Sequence, residues 1–172
     1  MNAVKRHSYS WADFNKEQGM DNRDMTKLQL KTTLFRLDKE QLKMFFGMLV
    51  HYWVKHKFFI SKHNFLNLWC ELNYLCYEVD ESFPDPYNDH KLIKSFCQAH
   101  PYYFIDMLAP ELVINLFCQH FDDRRDVLAM IANKLVVGGL RAAYEYSNEA
   151  LGLSENVDEL VSDGEEHIRL CS

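Results

Sequence analysis

The chain is poor in turn formers, with 6 glycines and 4 prolines among 172 residues. That is too few for the many tight turns of a sandwich or barrel. Its cysteines, Cys70, Cys76, Cys97, Cys118 and Cys171, are odd in number and contain no C-x-x-C pair. Buried free thiols in a reducing compartment fit this usage better than a disulfide framework. No apolar run reaches the ~18 residues of a membrane span, since Met44–Val54 is broken by His51 and followed by Lys55. The first residues, MNAVKRHSYSWADF, have a basic start but no apolar secretory core. These absences lead to the expectation of a soluble, cytoplasmic protein without membrane insertion.

Catalytic signatures are also missing. There is no G-x-S-x-G elbow, no H-E-x-x-H and no phosphate-binding glycine loop. Gly138-Gly139 follows a helical stretch instead of opening one, and Asp122, Asp123 and Asp126 cluster where a helix begins, as caps and dipole partners do. No catalytic residue, cofactor or metal is therefore expected, and any enzyme would need a site assembled from scattered positions.

What is present is an ordinary globular balance of 48% apolar and 26% charged residues, with 12 Phe, 9 Tyr and 3 Trp. One domain of this length buries a sufficient core without a staple. The net charge of −6 is uneven. Residues 1–86 carry 12 bases against 11 acids, and residues 87–172 carry 7 against 14. Eight bases fall between Lys27 and Lys62, whereas the last thirty residues hold eight acids and only Arg169 as a base. Such polarity suits a partner of opposite charge, or simply solvated helix faces.

The pattern is helical from Asp21 onward, after an arm over 1–20 that is expected to be partly disordered. Leu28, Leu30, Leu34, Phe35 and Leu37 mark an amphipathic segment near 22–36. Asp38 with Gln41 three residues later forms a capping box for a second helix near 39–58. Leu42, Phe45, Phe46, Leu49, Tyr52 and Trp53 share one arc of it, and Met44, Met48, Val50 and Val54 extend the apolar surface. A helix so apolar belongs at the centre of a bundle. A third helix near 62–79 carries a core stripe of Phe65, Leu68, Trp69, Leu72, Leu75, Cys76 and Val79. A narrower second face holds Leu66, Cys70, Tyr74 and Tyr77.

The run DESFPDPYN over 80–88 breaks the pattern. Shorter helices follow, one after Asn88 or Asp89 and two opened by Pro101 and Pro110. A further helix near 124–137 is capped by Asp122-Asp123 and stopped by Gly138-Gly139. Leu140–Leu151 ends at Gly152, and Ser154–Val161 precedes a loose acidic tail over 163–172. No segment alternates with period two. The fold class is all-α: one domain over 21–162, with seven or eight helices.

Two constellations bear on metals. Cys97, His100, Cys118 and His120 offer zinc-type ligands, but each pair lies near a helix end, the i, i+2 spacing of Cys118 and His120 does not put them on one face, and core thiols with helix-terminal histidines explain them equally. His51, His56 and His63 are spaced by five and seven, not the i, i+4 that aims two imidazoles at one ion. Both sets are set aside.

The function expected is a non-enzymatic, helical protein-binding module: a regulator, inhibitor or adaptor acting by occupancy, of the immunity-protein or phage-inhibitor kind. Its contact surface is the second face of the third helix, Leu66, Tyr74 and Tyr77, with Lys43, Lys55 and Lys57 as a polar rim. A nucleic-acid-binding regulator using the basic, aromatic 27–62 region is the main alternative. A structural subunit, a homo-oligomer or a scattered-site enzyme stands behind it.

Overall fold

The computed structural model describes residues 22–59, 62–83, 102–121 and 124–170. All regular structure among them is helical: α1 (Asn22–Phe35), α2 (Lys39–His56), α3 (Lys62–Val79), α4 (Tyr103–Met107), α5 (Pro110–His120), α6 (Arg125–Leu151) and α7 (Val157–Leu170). The N-terminal arm, the expected helix after Asn88, Pro101, Cys97, His100 and the Asp122-Asp123 pair lie outside the described residues.

Helix α2 begins as its sequence dictates. The Gln41 amide donates to Asp38 Oδ1 at 2.8 Å, and the Asp38 amide donates to Gln41 Oε1 at 3.0 Å, so two otherwise orphaned donors are satisfied reciprocally. The helix ends where Lys57 turns left-handed (φ 62°) and its amide reaches the Trp53 carbonyl. Between these caps eight residues are buried, Leu42 to Trp53, which makes α2 the central helix that its apolar breadth requires. It packs on α4, α6 and α7.

The core is built on aromatic edges. Phe46 meets Phe45, Trp69, Phe104 and Phe117 edge to face, with ring centroids 5.1–6.0 Å apart, the arrangement that sets a positive ring edge on a negative face. Phe117 in turn stacks on Phe121 at 4.1 Å. Phe45, Leu49, Trp53, Trp69 and Leu72, expected in the core from periodicity, are all buried; the side chain of Phe65 lies outside the described ones. Val79, expected in the core stripe of α3, sits at the helix end and is 66% exposed. Cys70, Cys76 and Cys118 are buried thiols, not paired in a disulfide.

Gly138-Gly139 interrupts the helical path as expected: Gly139 is non-helical (φ 78°, ψ −169°), so α6 is two helical segments joined across a kink, the first ending at the glycine pair and the second running to Leu151. That conformation is open essentially to glycine alone. The first half of α6 starts after Arg124 in a left-handed conformation (φ 54°). The last helix does not stop at Val161 with a loose tail behind it; α7 runs to Leu170. Asn156, not Ser154, caps it, accepting from the Glu159 amide at 3.2 Å. Asp158 and Glu159 in its first turn and His167 and Arg169 in its last complement the helix dipole, and Ile168 is buried. Helix α6 is long and apolar enough to cross a bilayer, but half of its apolar window is buried within the bundle, as befits a core helix contacting α1, α2 and α7.

Candidate metal centre

The five-residue connection between α6 and α7 is tightly held. Gly152 takes the left-handed cap position (φ 67°), which glycine adopts without a Cβ penalty. The Leu153 amide then donates to the Asn148 carbonyl at 2.8 Å. The Asn148 side-chain amide donates to the Glu155 carbonyl at 2.9 Å. This backbone geometry turns the Glu155 side chain inward against α2, where only 8% of it is exposed.

Three side chains of α2 converge on that carboxylate. His51 Nε2 lies 2.9 Å from Oε2 and 3.2 Å from Oε1. His56 Nε2 lies 2.9 Å from Oε1. Lys55 Nζ donates to Oε2 at 3.1 Å from a side chain 58% exposed. A carboxylate is acceptor-only, so each imidazole presents its Nε2–H to it. Burial alone raises the Glu155 pKa, but the Lys55, His51 and His56 contacts outweigh it and hold the carboxyl below the usual carboxylate range.

The same atoms form a ligand set. One nitrogen from each histidine and a Glu155 oxygen all lie within 4.8 Å of one another, and no other group of three such side chains does so among the described residues. A tetrahedral zinc with ligands at 2.0–2.2 Å keeps its donor atoms about 3.4 Å apart. The two histidine–carboxylate separations of 2.9 Å need to open by about half an ångström around an ion, and the two imidazole nitrogens stand within 4.8 Å of one another. Two imidazoles and one carboxylate leave a fourth position open, as metal sites that bind a substrate or activate water do.

Comparison with known proteins finds no matching family model, no matching curated protein and no matching solved structure.

The other candidate residues fall elsewhere. Cys118 is buried on α5, where burial pushes its thiol up to about 11, against the pull of Lys31, Arg125 and Lys27. His120 pairs instead with Glu71 of α3 at 3.1 Å. The His63 and Leu66 side chains lie outside the described ones. On the second face of α3, Cys70 is buried, Tyr77 is half-buried and Tyr74 is 37% exposed. Each lysine of the expected rim has an internal contact. Lys43 pairs with Asp106 at 3.0 Å, Lys55 with Glu155, and the Lys57 ammonium sits 5.7 Å from the centroid of the Trp53 ring.

Spacing alone missed the cluster. Residues five apart on a helix differ by about 140°, so His51 and His56 share no face. They meet because a carboxylate 99 residues beyond His56 is inserted between them.

Proposed function

We propose that this chain is a metal-dependent helical protein whose centre, assembled from separated segments, holds a zinc-class divalent ion on His51, His56 and Glu155. The observation that carries the reading is the convergence of three ligand atoms within 4.8 Å around a nearly buried carboxylate. The ion acts as a Lewis acid at its open position, binding an oxygen ligand or lowering the pKa of a water. Lys55 is the competitor: its ammonium neutralises Glu155 in the metal-free chain and is exposed enough to withdraw. Binding takes the Nε2 lone pair of each neutral imidazole, so both rings must carry their proton on Nδ1 when the ion is held.

Calorimetric titration of the demetallated chain with zinc tests this. One ion per chain is expected. His51→Ala and Glu155→Gln should each weaken binding by at least about tenfold, while Lys55→Met should strengthen it. Absence of stoichiometric uptake, or uptake untouched by all three substitutions, refutes the site.

Partner binding is a second reading, supported by a different surface from the one expected. Leu28 and Phe35 on α1 and Met130 and Val137 on α6 are exposed by 38–67%. Each pair is seven residues apart, which puts both members on one helix face. Leu28 and Met130 border a groove of about 360 Å³ that also includes Arg36. An acidic amphipathic helix suits it, with Lys31 on α1 and Arg36 just after it as counter-charges. Leu28→Glu and Met130→Glu should abolish such binding without lowering the melting temperature; binding that survives both refutes this surface.

A further inference from the structure

A hollow of about 260 Å³ lies between α2, α6, α7 and the residue before α4. Neither His56 nor Glu155 lines it, so it stands apart from the metal centre, although His51 forms part of its wall. Tyr102, seated against Gly47 and bonded to His167 Nδ1 at 3.0 Å, separates it from a second hollow that reaches Lys55.

Tyr144 of α6 singles this hollow out. The residue is only 5% exposed, and its ring is held edge-on beside Tyr52 and His51, with centroids 6.3 and 6.5 Å away. Its hydroxyl has no hydrogen-bond partner among the described residues. Buried hydroxyls are normally paired, so one left open at the wall of a hollow calls for a partner from outside the chain. The oxygen reaches across to α7, where a Cβ built on Gly164 would stand 3.8 Å from it. Asp163, the preceding residue, lines the same hollow with an exposed carboxylate that makes no ion pair among the described residues.

The electrostatics there favour a cation. No lysine or arginine lines the hollow. Burial pushes the Tyr144 phenol above its ordinary range, and Tyr52, Tyr102, Glu155 and Asp163 push it further, as neighbouring negative charge does. A carboxylate is acceptor-only, whereas an ammonium is three donors and no acceptor. One ammonium therefore serves both Asp163 and the lone pairs of the Tyr144 oxygen, and an anion would be repelled. The remaining wall is largely apolar, with Met44 and Met48 on α2, Leu140 on α6 and Leu160 on α7, and methionines adapt readily to a guest. At the ~30 Å³ that a water claims in the liquid, the hollow takes roughly eight or nine non-hydrogen atoms.

We propose that this hollow binds a small primary amine in its ammonium form, the nitrogen donating to the Tyr144 hydroxyl and the Asp163 carboxylate and the hydrocarbon body resting on Met44, Met48 and Leu160. The site needs no metal ion and goes beyond both readings of the previous subsection.

The test uses the full-length chain in the presence of a chelator, so its outcome is separate from that of the zinc titration. Hexylamine is titrated calorimetrically beside hexanol and hexanoate, which keep the hydrocarbon chain and change the head group. One hexylamine per chain is expected, with hexanol and hexanoate at least about tenfold weaker. Tyr144→Phe and Asp163→Asn should each weaken hexylamine by at least about fivefold. The melting temperature of the unliganded variants should hold, because one loses only an unpaired hydroxyl and the other an exposed charge. Nα-acetyl-lysine amide carries the same ammonium; if it binds as tightly as hexylamine, the guest is a lysine side chain of another protein and the free-amine assignment is overturned. No uptake of hexylamine, equal uptake of hexanol, or binding indifferent to both substitutions overturns the site itself.

Discussion

Substituting Gly47 by Ala sets two effects of similar size against each other. In the middle of α2, Ala is favoured over Gly by about 1 kcal/mol through backbone entropy. Against this, the new methyl carbon would sit 2.5 Å from the Tyr102 hydroxyl and 3.0 Å from Cε1 of its ring. The ring must shift by roughly 1 Å to restore ordinary contact. Tyr102 is only 5% exposed and its hydroxyl is engaged by His167, so it has little room to yield. Overpacking of this kind costs ~1–3 kcal/mol, and loss of the hydrogen bond adds about 1 kcal/mol. Gly47→Ala should therefore destabilise by ~1–3 kcal/mol, or lower the melting temperature by about 3–10 °C for a chain of this length. Urea and thermal denaturation measure both. In a Tyr102→Ala background the obstacle is gone, and the same substitution should become stabilising by about 1 kcal/mol. A single Gly47→Ala variant more stable than the parent refutes the reasoning, as does an effect of equal sign in both backgrounds.

Gly139→Ala should cost ~1–3 kcal/mol in chemical denaturation, because no residue with a side chain is comfortable at its φ and ψ; a neutral result means the kink is not required. Trp69→Ala removes a fully buried indole packed on Phe46 and Phe104 and should cost ~3–5 kcal/mol by the same measurement. Stability should fall at both pH extremes. Glu155 has a lowered folded pKa, so its contribution is present above the unfolded value of ~4.3 and is lost as pH falls toward the folded one; Glu155→Gln should flatten that acid limb. Burial raises Tyr52 and Cys76 from 10.0 and 9.0 to about 12 each. Their contribution is complete below pH 9 and is lost between about 9 and 12 as folding opposes their ionisation. A urea midpoint that is flat above pH 9 argues against this burial.

Where local chemistry decides a structure, the sequence was enough. Asp38 and Gln41 announced the start of α2, Gly152 the end of α6, and Pro110 the opening of α5. The apolar breadth of α2 identified the central helix. Gly138-Gly139 marked the break within α6, where the backbone leaves the helical region in a conformation open essentially to glycine. The extent of α7 was obscured by its acids, which suggested a solvated tail; Leu160, Val161 and Ile168 give it a packing face. The metal centre was the least legible element. His51 and His56 fail the usual spacing template, and Glu155 stood in the sequence as one acid among eight. Nothing local distinguishes it from Glu149 or Glu159. Its inward direction follows from Gly152 and from the Asn148 hydrogen bond to its backbone.

The contacts of Glu155 also bear on the order in which the chain assembles. Its partners on α2 lie 99 to 104 residues away in sequence, whereas Arg141 and Asp158, which join α6 to α7, are 17 apart. Closing the longer loop is entropically costly until other packing has brought its ends together. Helices α2 and α6 must meet before Glu155 has anything to grasp. Pairing of α7 with α6 is thus local, whereas its docking on α2 through Glu155 is the late step on the folding route, with a φ-value near zero expected at Glu155; a value near one there would reverse the order.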